Sequence, residues 1–182
     1  MGHAPWSLAE TKARVRNSLR DSFPAMFGER WTEAREIFYE NFGRSHLQSL
    51  SPLPDTEGAL DALAGSGLYL GVVSNKSGHW LRREVEHLGW GRFFGQVVGA
   101  GDAARDKPAI APLELALAPA GMVPGPDVWF VGDAAIDMEC ALNGGCIPVL
   151  IASEGLDEAW LGQWPPRHRF KNFKALMAGL PA

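Results

Sequence analysis

Leu68-Tyr69-Leu70-Gly71-Val72-Val73-Ser74-Asn75-Lys76 is the stretch on which the reading of this chain turns. The apolar run from Leu68 to Val73 is too short for a helix and too continuous for a half-exposed strand. It reads as a strand over Leu68 to Ser74, buried on both faces. A second run, Val128 to Val131, ends in Gly132-Asp133, with Asp137 four residues later. Around these two runs, strands and helices alternate. Asp55 or Thr56 can cap a helix through Leu63, closed by Gly65 and Gly67. Leu81, Val85 and Leu88 mark a helix face. Gln96 to Val98 is a short strand. Ala109 to Leu117 is a helix entered through Pro108. Val128 to Gly132, Ile136 to Asn143 and Ile147 to Ile151 read as strand, helix and strand, and a last helix spans about Phe173 to Ala178. The fold class is α/β, a parallel sheet covered by helices on both faces.

The stretch before Pro52 differs. From Ser7 to Leu50 no strand is expected. Ser7 and Glu10 have capping-box spacing and open a helix to about Arg20. Trp31, Ala34, Phe38 and Phe42, with Ile37 alongside, recur at helical spacing and give a second amphipathic helix. The chain thus divides into a helical segment over 1–51 and an α/β segment over 52–182.

In a parallel sheet, ligands sit beyond the carboxyl ends of the strands. Ser74 and Asp133 both fall at that edge, so they are expected to face one cavity. A hydroxyl followed by backbone amides, as at Ser74-Asn75, can hold an anion. The simpler reading of that segment is a helix entry at Ser77. Lys107, in Arg105-Asp106-Lys107-Pro108, can neutralise charge on a phosphoryl group. Asp133 and Asp137 can share a cation. Mg²⁺ takes one or two carboxylates, several waters and a phosphate oxygen. Capping of the next helix by Asp133 is the competing explanation, and it accounts for one aspartate only.

Bulk properties exclude several classes. The chain has 182 residues, 46% hydrophobic and 21% charged, which is enough for a true core. Net charge is −4 and no basic stripe exists, which argues against nucleic acid as partner. No apolar run reaches membrane-spanning length and no signal-peptide pattern opens the chain, so a cytoplasmic location without membrane partners is expected. Cys140 and Cys146 have neither metal-ligand nor disulfide spacing and read as small core residues. The five histidines read as surface residues, with His79 close enough to Ser74 for a minor substrate contact. Trp6, Trp31 and Trp80 are candidate pocket walls.

Taken together, Gly71-Val-Val-Ser-Asn-Lys76, Lys107-Pro108 and Phe130-Val-Gly-Asp-Ala-Ala-Ile-Asp137 resemble the second, third and fourth motifs of the haloacid dehalogenase (HAD) superfamily, in its phosphoglycolate-phosphatase-like branch. The resemblance covers roughly Pro52 to Ile151, and Ser7 to Leu50 is similar to part of that family's small helical cap. It implies hydrolysis of a small phosphorylated metabolite through an aspartyl-phosphate intermediate. Ser74 and Asn75 would bind phosphoryl oxygens, Lys107 would stabilise charge, and Asp133 with Asp137 would serve Mg²⁺. A sugar-phosphate mutase or a dehalogenase would share much of the architecture; the carboxylate pair favours phosphoryl chemistry.

The sequence departs from the family at one point. No Asp-x-Asp occurs in the chain, so the family's nucleophile is not among its residues. Met1 resembles a position inside a longer chain, and the family's first strand, which lies between those ending at Ser74 and Asp133, is expected to be missing. Without it those strands lie about two strand spacings apart, roughly 9–10 Å, too far to pair. As written, the chain is expected to be inactive, and a catalytically inactive phosphate- or metabolite-binding protein is the alternative reading.

Overall fold

The computed structural model describes residues 6–7, 10–11, 17–152 and 158–180. Two helices lead: α1 (Leu19–Phe27) and α2 (Trp31–Ser45), joined by a 3₁₀ turn at Gly28–Arg30. The expected capping box at Ser7 is present, with Ser7 N donating to Glu10 Oε2 at 2.9 Å and Glu10 N to Ser7 Oγ at 3.3 Å. The single helix to Arg20 is corrected, since Asn17 and Ser18 leave helical geometry. Ser18 is extended and fully buried, its hydroxyl bonds Asp21 Oδ2 at 2.8 Å, and a new helix starts at Leu19. Residues 12–16 of the expected helix lie outside the described residues.

The α/β part follows as α3 (Thr56–Gly65), β1 (Gly71–Ser77), α4 (Gly78–His87), β2 (Gln96–Ala100), α5 (Ala111–Leu117), β3 (Trp129–Gly132), α6 (Ala135–Asn143), β4 (Ile147–Ile151), α7 (Glu158–Gln163), β5 (His168–Phe170) and α8 (Phe173–Ala178). The capping role offered to Asp55 or Thr56 is corrected. Asp55 stands at the N-cap in a left-handed conformation with no side-chain cap, and the buried Thr56 hydroxyl has no hydrogen-bond partner. Strand β5 and helix α7 add to the expected elements.

All pairings are parallel, as expected, but the strands form two sheets: β1 with β2, and β3-β4-β5. Among the described residues no strand pairs with the other edge of β1 or of β3. This is the interruption anticipated from the missing first strand. An apolar cluster joins the two halves beneath. Leu113 and Leu117 of α5 pack with Phe130 of β3, Cys140 and Ala141 of α6 and Cys146, with Val73 of β1 against them. Both cysteines are buried and free, as the composition suggested, and burial pushes the Cys140 thiol up to about 12. Among the described residues no helix is long and apolar enough to cross a membrane.

Backbone crosses backbone where β2 meets the start of α4. A side chain at Gly99 would fall on the backbone of Gly78 and on the Lys76 carbonyl. At Gly58, inside α3, there is open space. Gly99→Ala should therefore cost about 1–3 kcal/mol or more, because main chain cannot swing aside. Gly58→Ala should gain about 0.4–1 kcal/mol by restricting the unfolded chain. Urea midpoints moving in opposite directions check both.

Candidate active site

The regular pairing of β1 with β2 ends at Val73↔Val98 and resumes, out of register, at Ser77↔Ala100. The expected strand over Leu68 to Ser74, buried on both faces, is therefore corrected to Gly71–Ser77, with Gly71 exposed and the rest half-buried beside the open edge, and the irregularity takes Ser74, Asn75 and Lys76 out of the ladder. Their polar groups turn to other work. Lys76 N donates to Ser74 Oγ at 3.1 Å. The Asn75 amide clasps the next site residue by its backbone, accepting from Lys107 N and donating to Lys107 O, each at 3.1 Å. The expected helix entry at Ser77 is also seen, as α4 begins at Gly78.

Lys107 is buried, 7% exposed. Its ammonium donates to the Val73 carbonyl at 3.0 Å and to Asp137 Oδ1 at 2.7 Å, and it lies 5.8 Å over the Phe130 ring. A buried ammonium needs partners of this kind to offset desolvation. Asp137, also buried, turns its other oxygen back. Oδ2 accepts from the backbone amides of Asp133 at 3.1 Å and Ala134 at 3.0 Å. The capping carboxylate of α6 is thus Asp137 rather than Asp133. Gly132 is required beneath it, because a side chain there would occupy the space of the Asp137 carboxylate.

The three distant clusters converge. Ser74, Asn75, Lys107, Asp133 and Asp137 line one cavity of about 670 Å³. Opposite them stand Phe23 and Met26 of α1 and Phe38, Tyr39 and Phe42 of α2. Burial pushes the Tyr39 phenol above its ordinary range, while a hydrogen bond with Ser77 works the other way. Of the tryptophans offered as walls, Trp6 lines the cavity and Trp31 and Trp80 do not. His79 is exposed and packs on Trp80, not in the cavity. His46 corrects the surface reading of the histidines. It is buried against Trp80, 4.7 Å between ring centroids, with Nε2 unpartnered.

Two contacts seat the helices over the cavity, and neither was expected from the sequence. Arg20 of α1 makes a two-point pair with buried Asp106, both distances 2.6 Å, beside Lys107 in the chain. Trp80 of α4 presses on α2 at Gly43, against Phe42 and His46. Lys76, paired with Glu84, and Ser77 complete the polar side and were also missed as separate contributors. The capping spacing of Ser18 with Asp21 was a readable sign of where α1 begins.

Among the described residues no three His, Cys, Asp or Glu side chains gather as a metal-binding group. The donor set fits Mg²⁺ as a partial shell. An Asp133 carboxylate lines the cavity. Asp137 has about four acceptor positions, three of them taken, leaving one on Oδ1. Mg²⁺ keeps several waters and takes one or two carboxylates, which such a set can supply.

The sequence that carries these segments matches one family. Its sequence profile, described as haloacid dehalogenase-like hydrolase, matches residues 1–151. The chain belongs to this family. A phosphoglycolate phosphatase of Salmonella choleraesuis is 33% identical over 112 residues, covering 62% of this chain and 44% of the relative. Its counterpart in Escherichia coli K12 is 31% identical over the same coverage. The aligned segment spans less than half the length of these curated relatives. Among solved structures, a HAD-superfamily hydrolase from Ehrlichia chaffeensis is 28% identical with TM-score 0.60, over 98% of this chain and 80% of the other. A haloacid dehalogenase-like hydrolase from Streptococcus pneumoniae, 18% identical, shares the fold with TM-score 0.82 over 97% of this chain and 83% of its own.

The buried pair carries a stability prediction. Asp137→Ala strands the Lys107 ammonium and two backbone amides, and should cost about 3–5 kcal/mol in urea unfolding. Removing both charges, as Lys107→Met with Asp137→Leu, should cost less than Asp137→Ala alone. A double variant weaker than the single would overturn the claim that the stranded ammonium carries most of the cost of Asp137→Ala.

Proposed function

We propose that this HAD-family chain forms the phosphoryl-binding part of a phosphatase acting on a small phosphomonoester. The observation that carries the reading is the convergence of Ser74, Lys107 and Asp133 on one cavity from three separate loops. Lys107 has three N–H protons, of which two are committed to Val73 and Asp137. The third is the one offered to a phosphoryl oxygen. The Ser74 oxygen accepts from Lys76, so its hydroxyl proton is likewise available to the substrate. Asn75 acts through Lys107, holding that segment by both backbone groups. Asp133 would hold Mg²⁺, with Asp137 reaching the ion through its remaining acceptor position. When bound, the ion supplies electrostatic stabilisation of the phosphoryl oxygens.

The reaction is a pair of displacements. An aspartate carboxylate bonds to phosphorus as the ester P–O bond breaks and the ester oxygen takes a proton from the second aspartate of an Asp-x-Asp pair; water then gives a proton back to that aspartate, attacks phosphorus and releases inorganic phosphate and the first carboxylate. No Asp-x-Asp exists in the 182 residues, so the attacking carboxylate is assigned to a strand supplied from outside them. The open edges of β1 and β3 support that assignment. The same absence favours a second reading for the chain by itself, a phosphate-binding module without turnover.

The cap over 1–51 and core over 52–182 are proposed as the working division, with Arg20–Asp106 and the Trp80 contact as the joint. Hydrolysis of p-nitrophenyl phosphate separates the readings. The 182 residues alone should bind phosphate and remain at background. With an Asp-x-Asp strand supplied, Mg²⁺-dependent turnover should appear, and Lys107→Met or Asp133→Ala should each lower kcat/KM by roughly 100-fold or more. Turnover undiminished in Asp133→Ala would defeat the assignment.

A further inference from the structure

We infer that the ester taken by this cavity carries an aromatic ring on its alcohol side; this deepens, and rests on, the phosphatase reading above. The cavity has two unlike halves. Its floor is the polar set around Ser74, Lys107 and Asp133. Its wall is Trp6, Phe23, Met26, Phe38, Tyr39 and Phe42. The wall rings pack on one another before any ligand is considered. Phe38 sits 6.0 Å from Phe23 edge to face, 5.4 Å from Tyr39 edge to face, and 5.8 Å from Phe42 in a stack. With contacts on three sides, Phe38 is still 40% exposed, and it lines the cavity. The uncovered part of this ring is therefore presented to whatever binds there.

Chemistry selects the occupant. Ring faces carry negative potential and ring edges positive, so another aromatic ring, offset or edge-on, is the group such a cluster holds best. A second carboxylate, as on a two-carbon acid ester, would meet ring faces and the Lys76 ammonium over Phe42, a cation already paired with Glu84. A ring linked to the phosphoryl group would cover Phe38 while its phosphate reached Lys107. Tyr39, neutral and beside Ser77, offers a phenol to a polar substituent on that ring.

Binding, which needs no nucleophile, tests this. Calorimetric titration of the chain with Mg²⁺ present would compare three probes inert to hydrolysis: phenylphosphonate, phosphonoacetate and inorganic phosphate. Phenylphosphonate should bind roughly tenfold or more tighter than phosphonoacetate, the margin a stacked ring adds. Phe38→Leu keeps an apolar side chain at this part-exposed position and should cut that ratio to about threefold or less, and Phe38→Ala should cut it further. Circular dichroism confirms that each variant is folded. Equal or tighter binding of phosphonoacetate, or a ratio that survives Phe38→Ala, overturns the inference while leaving the phosphoryl site intact. Failure of all three probes to bind overturns the phosphatase reading itself, and this one with it.

Discussion

The Lys107 ammonium is the fixed point of this molecule. It reaches a backbone carbonyl on β1 and a carboxylate at the start of α6, and so ties the two sheets at the very place where they do not pair. A charge this deeply buried is tolerated only with partners in good geometry. That requirement propagates. Asp137 must face Lys107 with one oxygen, so its other oxygen is left to order the Asp133–Ala134 turn. Gly132 must lack a side chain to admit the carboxylate. Asn75 must hold the Lys107 backbone in place. Three loops are thereby set by one ion pair, with the apolar cluster of Leu113, Phe130 and Cys140 excluding water below it.

The helical layer is coupled to the same point. Asp106 precedes Lys107 in the chain and is pinned by Arg20 from α1, while also accepting from Gly101 N at 3.0 Å. A displacement of α1 would pull on the segment that carries the ammonium. The second seam, Trp80 against Gly43, is apolar and sits at the far end of α2. One polar and one apolar contact fix the tilt of two helices over the cavity, so the wall and the floor keep their separation.

Much of this was legible in the residues. Short apolar runs bounded by glycine and polar residues located the strands, and Ile147–Ile151 and Phe173–Ala178 match their expected bounds. The rule that ligands collect beyond strand ends placed Ser74 and Asp133 together. What escaped has physical reasons. His168-Arg169-Phe170 forms a strand of three residues, two of them basic, held by pairing to β4 rather than by an apolar pattern. The end of β1 shifted because a register break has no periodic signal. His46 is buried between Phe42, on its own helix, and Trp80, 34 positions away. Arg20 and Asp106 were visible as residues, but a pair separated by 86 positions has no local signature. That Asp137 rather than Asp133 caps α6 is a matter of which carboxylate the turn lets reach back, and spacing alone does not decide it.

The segments that resemble the family's motifs carry Ser74, Lys107 and Asp133, and all three residues line the cavity. Under the proposed function, selectivity among esters falls to the rest of the lining. The wall is built from α1 and α2, and the apolar spacing of α2 reads first as core. Ala34 fulfils that reading, at 5% exposure, whereas Phe38, on the same stripe, does not. Ile37, on the same helix, is as open and does not line the cavity. Phe38 differs in lining it, and the inference above fills that space with the ring of a substrate. Kinship in the floor therefore constrains the chemistry, and the open ring in the wall constrains what that chemistry is applied to.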